Sequence, residues 1–392
     1  MNNTNNKGFH ILTVNEKTFD IHLKYMFAGT GRNNYPEQMG AKIDMSAIRK
    51  GDTVVFYVEK VGFFGFFQVS SEPFYEQLDN NYLESELGRN LTYRFFLKPH
   101  DHLNVYKFPK SEWEIIEEPK NIQEHSIFNM QWSWIFKKLN ANRGLLTLPQ
   151  DESINFVRIF IENNEVISNN NFCYDSSIRQ IKVSDKGFNY FDNLAVEKIE
   201  KYEDKLGKIE REEDLRWLFC NEIGKNTKYG NLISEIVPLN ETILYIGNEV
   251  VSSFSETRMD LVIHTSDLNN KTKCYLIELK NEFIYNENIY FQVYKYSKWI
   301  SSYKIFDVIS PILVLRNARL YPLRGGGKYF KYLKKSDCIE NKTSPWYREI
   351  LSNLYIAKDK LIQNKIFKLN EFKVYVFNVE NSNELINFEQ IV

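Results

Sequence analysis

Asp260, Glu278 and Lys280 are the residues whose types and spacing most directly suggest chemistry. Asp260 stands inside the apolar run Arg258-Met259-Asp260-Leu261-Val262-Ile263, and 18 positions after it Glu278 and Lys280 interrupt a second run, Tyr275-Leu276-Ile277-Glu278-Leu279-Lys280. Side chains alternate along a strand, so Glu278 and Lys280 project from one face while Ile277 and Leu279 pack the other. A neighbouring strand brings Asp260 to meet them. Two carboxylates at that range repel unless a divalent cation sits between them, and Mg²⁺ prefers a hard oxygen site with few protein ligands and retained waters. A lysine beside such a cation orients an attacking water or stabilises charge on a phosphate. Those are the parts for phosphodiester hydrolysis. The plain alternative is a solvated strand face with alternating charge. Against it, the flanks of Glu278 and Lys280 are apolar on one side only and Asp260 lies in an otherwise apolar strand.

The order of these parts resembles the PD-(D/E)XK nuclease superfamily, in the branch related to RecB nucleases and to archaeal mismatch endonucleases. After Glu278-Leu279-Lys280 comes Gln292-Val293-Tyr294-Lys295-Tyr296, which is similar to that branch's glutamine helix. The resemblance implies that Asp260 and Glu278 are metal ligands, Lys280 the catalytic lysine and Gln292 an accessory active-site residue. It also implies Mg²⁺ as cofactor, with Mn²⁺ able to substitute. A helix upstream of the strands often brings one more acid in such enzymes; Glu213 is the choice, with Glu212 close behind. Glu235, in Leu232-Ile233-Ser234-Glu235-Ile236, sits where related enzymes place an acid on the first strand. Met259 replaces the proline of the nominal motif, which supplies no chemistry.

The first 160 residues resemble the EVE, YTH and PUA-like family of small barrels that hold a modified or flipped base. The likeness rests on Gly51-Asp52 opening the strand Thr53-Val54-Val55-Phe56-Tyr57, on Gly65-Phe66-Phe67-Gln68-Val69, and on Leu91 to Pro99. Such a pocket stacks a base between aromatic faces and reads its polar edge with a few hydrogen bonds. Trp132 and Trp134, with Tyr35 as a third, are the expected pocket aromatics; the bland reading places them in a core.

Other motifs carry less. His100 and His102 read as exposed residues of a turn rather than a zinc pair, because no third ligand is near. Arg324-Gly325-Gly326-Gly327-Lys328 lacks the Gly-Lys-Ser/Thr ending of a phosphate-binding loop and reads as a mobile basic loop that touches DNA. The cysteines at 173, 220, 274 and 338 are too scattered for a disulfide framework or a Cys-x-x-Cys zinc site.

The elements that must position these residues follow from the pattern. A hairpin over Thr53–Val69, a strand Tyr93–Leu97 and an aromatic helix Ser126–Leu139 predict a small β-barrel with helices in residues 1–160. The polar stretch 162–171 predicts a boundary, with a linker and charged helix over 161–205. Residues 206–392 read as an α/β core: a helix Glu212–Phe219, strands near Leu232–Val237, Ile243–Ile246, Met259–His264 and Cys274–Leu279, a helix 286–302 and a strand Ile309–Leu315. A helix near Tyr347–Leu361 and a strand Phe372–Phe377 elaborate it. The expected fold class is α/β and α+β, a PUA-like barrel followed by a restriction-endonuclease-like core.

With 392 residues, 43% apolar and 15% aromatic, the chain is long enough for two or three domains and is not disordered. No apolar run of membrane-spanning length and no signal-peptide pattern occurs, so a soluble, cytoplasmic protein is expected. The net charge of −1 hides a dipole. Residues 295–368 carry 16 Lys and Arg against 5 Asp and Glu, a local +11. That run, with Lys295, Lys298, Arg324 and Lys328, predicts a grip on a phosphate backbone that weakens with salt. A base reader joined to a nuclease suggests a modification-dependent restriction endonuclease, of the kind used in phage defence. Its partner is double-stranded DNA carrying a modified base, with modified cytosine first in view. Cutting two strands needs two active sites and hence a homodimer; nothing resembles an ATP-driven motor. The competing expectations are a repair endonuclease acting on mismatched or branched DNA and a non-catalytic reader of modified nucleic acid.

Overall fold

The computed structural model describes residues 8–30, 39–75, 83–89, 91–117, 144–148, 150–167, 171–185, 206–251, 258–283, 287–301, 306–322, 328–332, 352, 372–380 and 383–391. The chain forms two units, Met1–Asp204 with Ser252–Glu256, and Lys205–Val251 with Thr257–Val392. Each mixes helices with one main sheet, as the composition of alternating strand and helix patterns predicts.

In the first unit the elements run β1 (Phe9–Val14), α1 (Glu16–Tyr25), β2 (Phe27–Thr30), α2 (Met39–Ser46), β3 (Thr53–Val58), β4 (Gly62–Val69), β5 (Phe74–Tyr75), α3 (Glu84–Leu87), β6 (Tyr93–Pro99), β7 (Val105–Tyr106), α4 (Glu112–Glu117), β8 (Leu145–Leu148), α5 (Gln150–Ile161), β9 (Val166–Ile167), β10 (Phe172–Asp175) and β11 (Gln180–Val183). The sheet has the order β2-β6-β4-β3-β1-β8, with β5 on β6. Among the described residues that path is open, so the seven strands establish a β-rich half rather than a closed barrel. β4 is buried along its whole length. Phe64 and Phe67 pack with Phe19 and Phe56 on one face, and Phe63 and Phe66 with Phe156 and Phe160 on the other. That two-sided burial explains why this strand reads as a continuous aromatic run instead of alternating.

Two local expectations are modified. Stretch 162–171 carries β9, which pairs with β7, and leads into β10, whose Tyr174 N–H donates to Asp20 on α1 at 2.8 Å. Its described residues therefore pack within the first unit. In the turn after β6, His100 is half-buried: its Nδ1 accepts from the His102 and Leu103 N–H groups and its Nε2 meets Thr53 Oγ1 at 3.1 Å. The pair organises the turn and is not arranged to hold zinc. The Gly51-Asp52 signature is a buried knot. The Asp52 carboxylate accepts from the Gly8 and Arg49 N–H groups and meets His10 Nε2 at 2.8 Å.

The second unit contains α6 (Glu212–Glu222), α7 (Lys228–Ile233), β12 (Thr242–Val251), β13 (Arg258–Ser266), β14 (Thr272–Lys280), α8 (Glu287–Ser301), β15 (Val308–Arg316), β16 (Ala318–Pro322), β17 (Lys328–Tyr332), β18 (Lys373–Val379) and β19 (Leu385–Gln390). The sheet order is β12-β13-β14-β15-β18-β19, parallel at β14/β15 and β15/β18 and antiparallel elsewhere. A parallel pair needs a crossover, and α8 supplies it between β14 and β15. Val293 of α8 packs on Leu313, Leu315, Val374 and Val376, covering the same sheet face from which Glu278 projects.

Leu232–Val237, expected as a strand, is the end of helix α7 and the turn after it. Thr227 caps this helix by accepting the Gly230 N–H at 3.0 Å, and that local bond outweighs the alternation of Leu232, Ser234 and Ile236. The expected helices over 126–139 and 347–361 fall almost entirely outside the described residues. No helix among the described residues is long and apolar enough to cross a membrane.

Candidate active site

β13 and β14 pair antiparallel through Leu261↔Ile277, Val262↔Leu276 and Ile263↔Tyr275. This register brings Asp260 alongside the Glu278 end of β14. The Asp260 carboxylate, 8% exposed as a residue, accepts the Leu279 N–H at 2.8 Å, which pins it across the strand boundary. Lys280 Nζ lies 2.8 Å from Glu278 Oε1, 3.6 Å from Asp260 Oδ2 and 3.5 Å from Glu212 Oε2, and it donates to the Leu279 carbonyl at 2.7 Å. Three carboxylates thus converge on one ammonium.

The electrostatics follow from burial. Burial, with Asp260 beside it, pushes the Glu278 carboxyl up to about 7 against the pull of Lys280. The Glu212 carboxyl is raised by the same two causes, burial first and Asp260 second. Burial alone would lower the Lys280 ammonium, but Asp260, Glu278 and Glu212 outweigh it and hold its pKa above the ordinary lysine value. Glu278 Oε2 is buried and has no hydrogen-bond partner. A carboxylate oxygen left bare in that setting is costly, and a cation is the partner it lacks. Among the described residues no three His, Cys, Asp or Glu side chains stand ready as a metal cage. Mg²⁺ needs only one or two carboxylates and keeps its waters, so Asp260 and Glu278, with Glu212 at the rim, suit it.

Of the two acids that open α6, Glu212 rather than Glu213 lies beside Lys280. Asp214 fixes the phase of α6 by accepting the Arg211 N–H at 2.8 Å, in the manner of a capping box. From that start Glu212 faces Lys280, while Glu213 lies 3.6 Å from Arg216 and is 41% exposed. We expect Glu212→Gln to lower Mg²⁺-dependent cleavage by ~10-fold or more and Glu213→Gln to change it less than about 3-fold. Kinetics of the two purified variants decide it; a larger loss in Glu213→Gln would return the choice to Glu213, and equal losses would single out neither.

Glu235 does not reach the site. It is exposed in the turn after α7, where its carbonyl accepts the Tyr375 hydroxyl at 2.9 Å. The first strand of the sheet, β12, carries one acid, Glu249. It sits at a left-handed φ of 50° between the pairs Asn248↔Leu261 and Val250↔Met259, 2.9 Å from Arg216 and 3.7 Å from Arg258.

Gln292 lies on α8 and donates to the Tyr296 hydroxyl at 2.7 Å, which in turn donates to the Arg258 carbonyl at 2.5 Å. Helix α8 is thereby tied to the strand that carries Asp260. The Tyr296 hydroxyl is raised to about 12, by burial first and then by the charges of Glu278 and Asp260, against the opposing pull of Gln292 and Lys280. Lys295 and Lys298 are exposed on the same helix. Lys328 opens β17, paired in the backbone with Pro322. Arg324 and the expected base-pocket residues Trp132, Trp134 and Tyr35 lie outside the described residues.

The sequence matches no family model and no curated protein. Among solved structures, a hypothetical protein from Leishmania major is similar at 16% identity over 39% of this chain and 94% of its own, with a TM-score of 0.26. A Pseudomonas putida protein is similar at 12% identity over 38% of this chain and 98% of its own, with a TM-score of 0.25. Neither likeness carries an argument about fold or function.

Proposed function

We propose that this chain is a Mg²⁺-dependent DNA endonuclease directed by a modified base. In this reading the second unit is a PD-(D/E)XK-type nuclease, and the first is a PUA-like reader. The observation that carries it is the convergence of Asp260, Glu278 and Glu212 on Lys280, with Glu278 Oε2 buried and unpartnered. An ordinary solvated strand face would leave these carboxylates exposed.

Bound to Asp260 and Glu278, Mg²⁺ would supply charge stabilisation at the scissile phosphate and a more acidic attacking water. The protein's own part is positional. Lys280, kept cationic by its three acids, donates to the reacting phosphate or to the water that attacks it. Gln292 and Tyr296 hold α8 against β13, so that Lys295 and Lys298 present charge to the DNA backbone beside the carboxylates. Cleavage of both strands calls for a second copy of the chain.

The test is cleavage of one plasmid prepared with and without cytosine or adenine modification, in Mg²⁺. Cutting of the modified form alone is expected. Equal cutting of both forms would remove the reader, and preference for a mismatched oligonucleotide would make this a repair enzyme. Binding of modified DNA without cutting in Mg²⁺ or Mn²⁺ would leave a non-catalytic reader.

A further inference from the structure

Arg316 ends β15 directly after the buried apolar run Ile312 to Leu315, and is itself completely buried. Its Nη1 donates to the Ile209 carbonyl at 2.9 Å and to Asn281 Oδ1 at 3.1 Å, and its Nη2 donates to Asn383 Oδ1 at 2.8 Å. These three acceptors are neutral. They belong to three separate stretches: the approach to α6, the residue after Lys280, and the turn between β18 and β19.

The same stretches are bonded to one another. Asn281 Nδ2 donates to the Glu210 carbonyl at 2.7 Å, and the Ile209 N–H donates to the Asn383 carbonyl at 2.8 Å. Lys208 bridges to Glu384 in the backbone. Burying a guanidinium is expensive, and a core this apolar would accept a leucine at lower cost. The position of the bonds explains what is gained. Glu210 is two residues before Glu212, and Asn281 is one residue after Lys280, so the guanidinium clamps the two chain segments that carry opposite sides of the carboxylate site.

We propose that Arg316 is a positioning residue, acting through Ile209, Asn281 and Glu210 to hold Glu212 at its distance from Lys280 and Glu278, and so to complete the divalent-cation site. The inference rests on the nuclease reading above. It assigns Arg316 no contact with DNA, although the residue falls within the basic run of the sequence.

The experiment measures Mn²⁺ affinity of the full chain by calorimetry for wild type, Arg316→Lys and Asn281→Ala, each with and without Glu212→Gln. Asn281 is only half-buried, so its truncation cuts the link without opening the core should Arg316→Lys fail to fold. Both variants are expected to weaken Mn²⁺ about tenfold in the wild-type background and less than about twofold once Glu212 is already glutamine. Undiminished affinity in Asn281→Ala, or the same loss in both backgrounds, overturns the positioning role while leaving the nuclease reading intact. A wild-type chain that binds no Mn²⁺ overturns both, and shows it before any variant is compared.

Discussion

Glu278→Gln is expected to lower Mg²⁺-dependent cleavage by ~10³-fold or more and, in the absence of divalent cations at pH 8, to raise the melting temperature. The two effects have one cause. The Glu278 carboxyl is buried beside Asp260 and would ionise only near pH 7, so the folded chain at pH 8 bears a charge that its surroundings oppose. Relative to an exposed glutamate this costs on the order of 3 kcal/mol. Glutamine keeps the shape, carries no charge and relieves that cost. It also leaves Mg²⁺ with one carboxylate fewer and Lys280 with a weaker counter-ion. Lys280→Ala is expected to remove cleavage as fully but to lower the melting temperature, because it leaves Glu278, Asp260 and Glu212 facing one another without a cation. A nuclease assay and a thermal melt on the same samples check both variants. Cleavage by Glu278→Gln within tenfold of wild type would show that this carboxylate is not in the catalytic machinery.

The central parts of this site were legible because they are local. A strand's alternation places Glu278 and Lys280 on one face whatever the rest of the chain does, and an acid inside an apolar run, as at Asp260, is rarely there for packing. Gln292 was legible from helical spacing, since the i, i+4 partner Tyr296 is the residue it bonds. Glu212 and Glu213 were harder. Adjacent residues on a helix differ in direction by about 100°, and only the cap at Arg211 and Asp214 fixes which of them turns inward. An acid three residues into the helix was a readable signal for that cap. Glu249 and Arg316 were not readable at all. The first depends on the pairing of β12 with β13, the second on a turn some 67 residues away in sequence. Long-range register decides both.

The pH dependence tests the same carboxylate without mutation. Glu278 has a folded-state pKa raised from an ordinary 4.5 to about 7, so between those values the folded chain holds more proton than the unfolded chain. Stability therefore falls as pH rises through that window and is lowest above it. Glu212 is raised too and adds in the same direction. Lys280 has the opposite linkage: its raised pKa gives a stabilisation that is complete below the ordinary lysine value of 10.5 and is lost only above it, so it is constant across this window. The melting temperature in EDTA should accordingly decline from pH 5 to pH 8, and the decline should be shallower in Glu278→Gln. Divalent cations reverse the sign, because binding requires the ionised carboxylate. Mn²⁺ affinity should rise by up to tenfold per pH unit below about 7 and level off above it. The stabilisation that a fixed excess of Mn²⁺ confers should then grow over the same interval in which the EDTA curve falls. Parallel melts in EDTA and in Mn²⁺ from pH 5 to pH 8 provide the measurement. Curves that keep a constant separation would mean that the ion is not held by a group titrating near 7, and would remove Glu278 from its ligands.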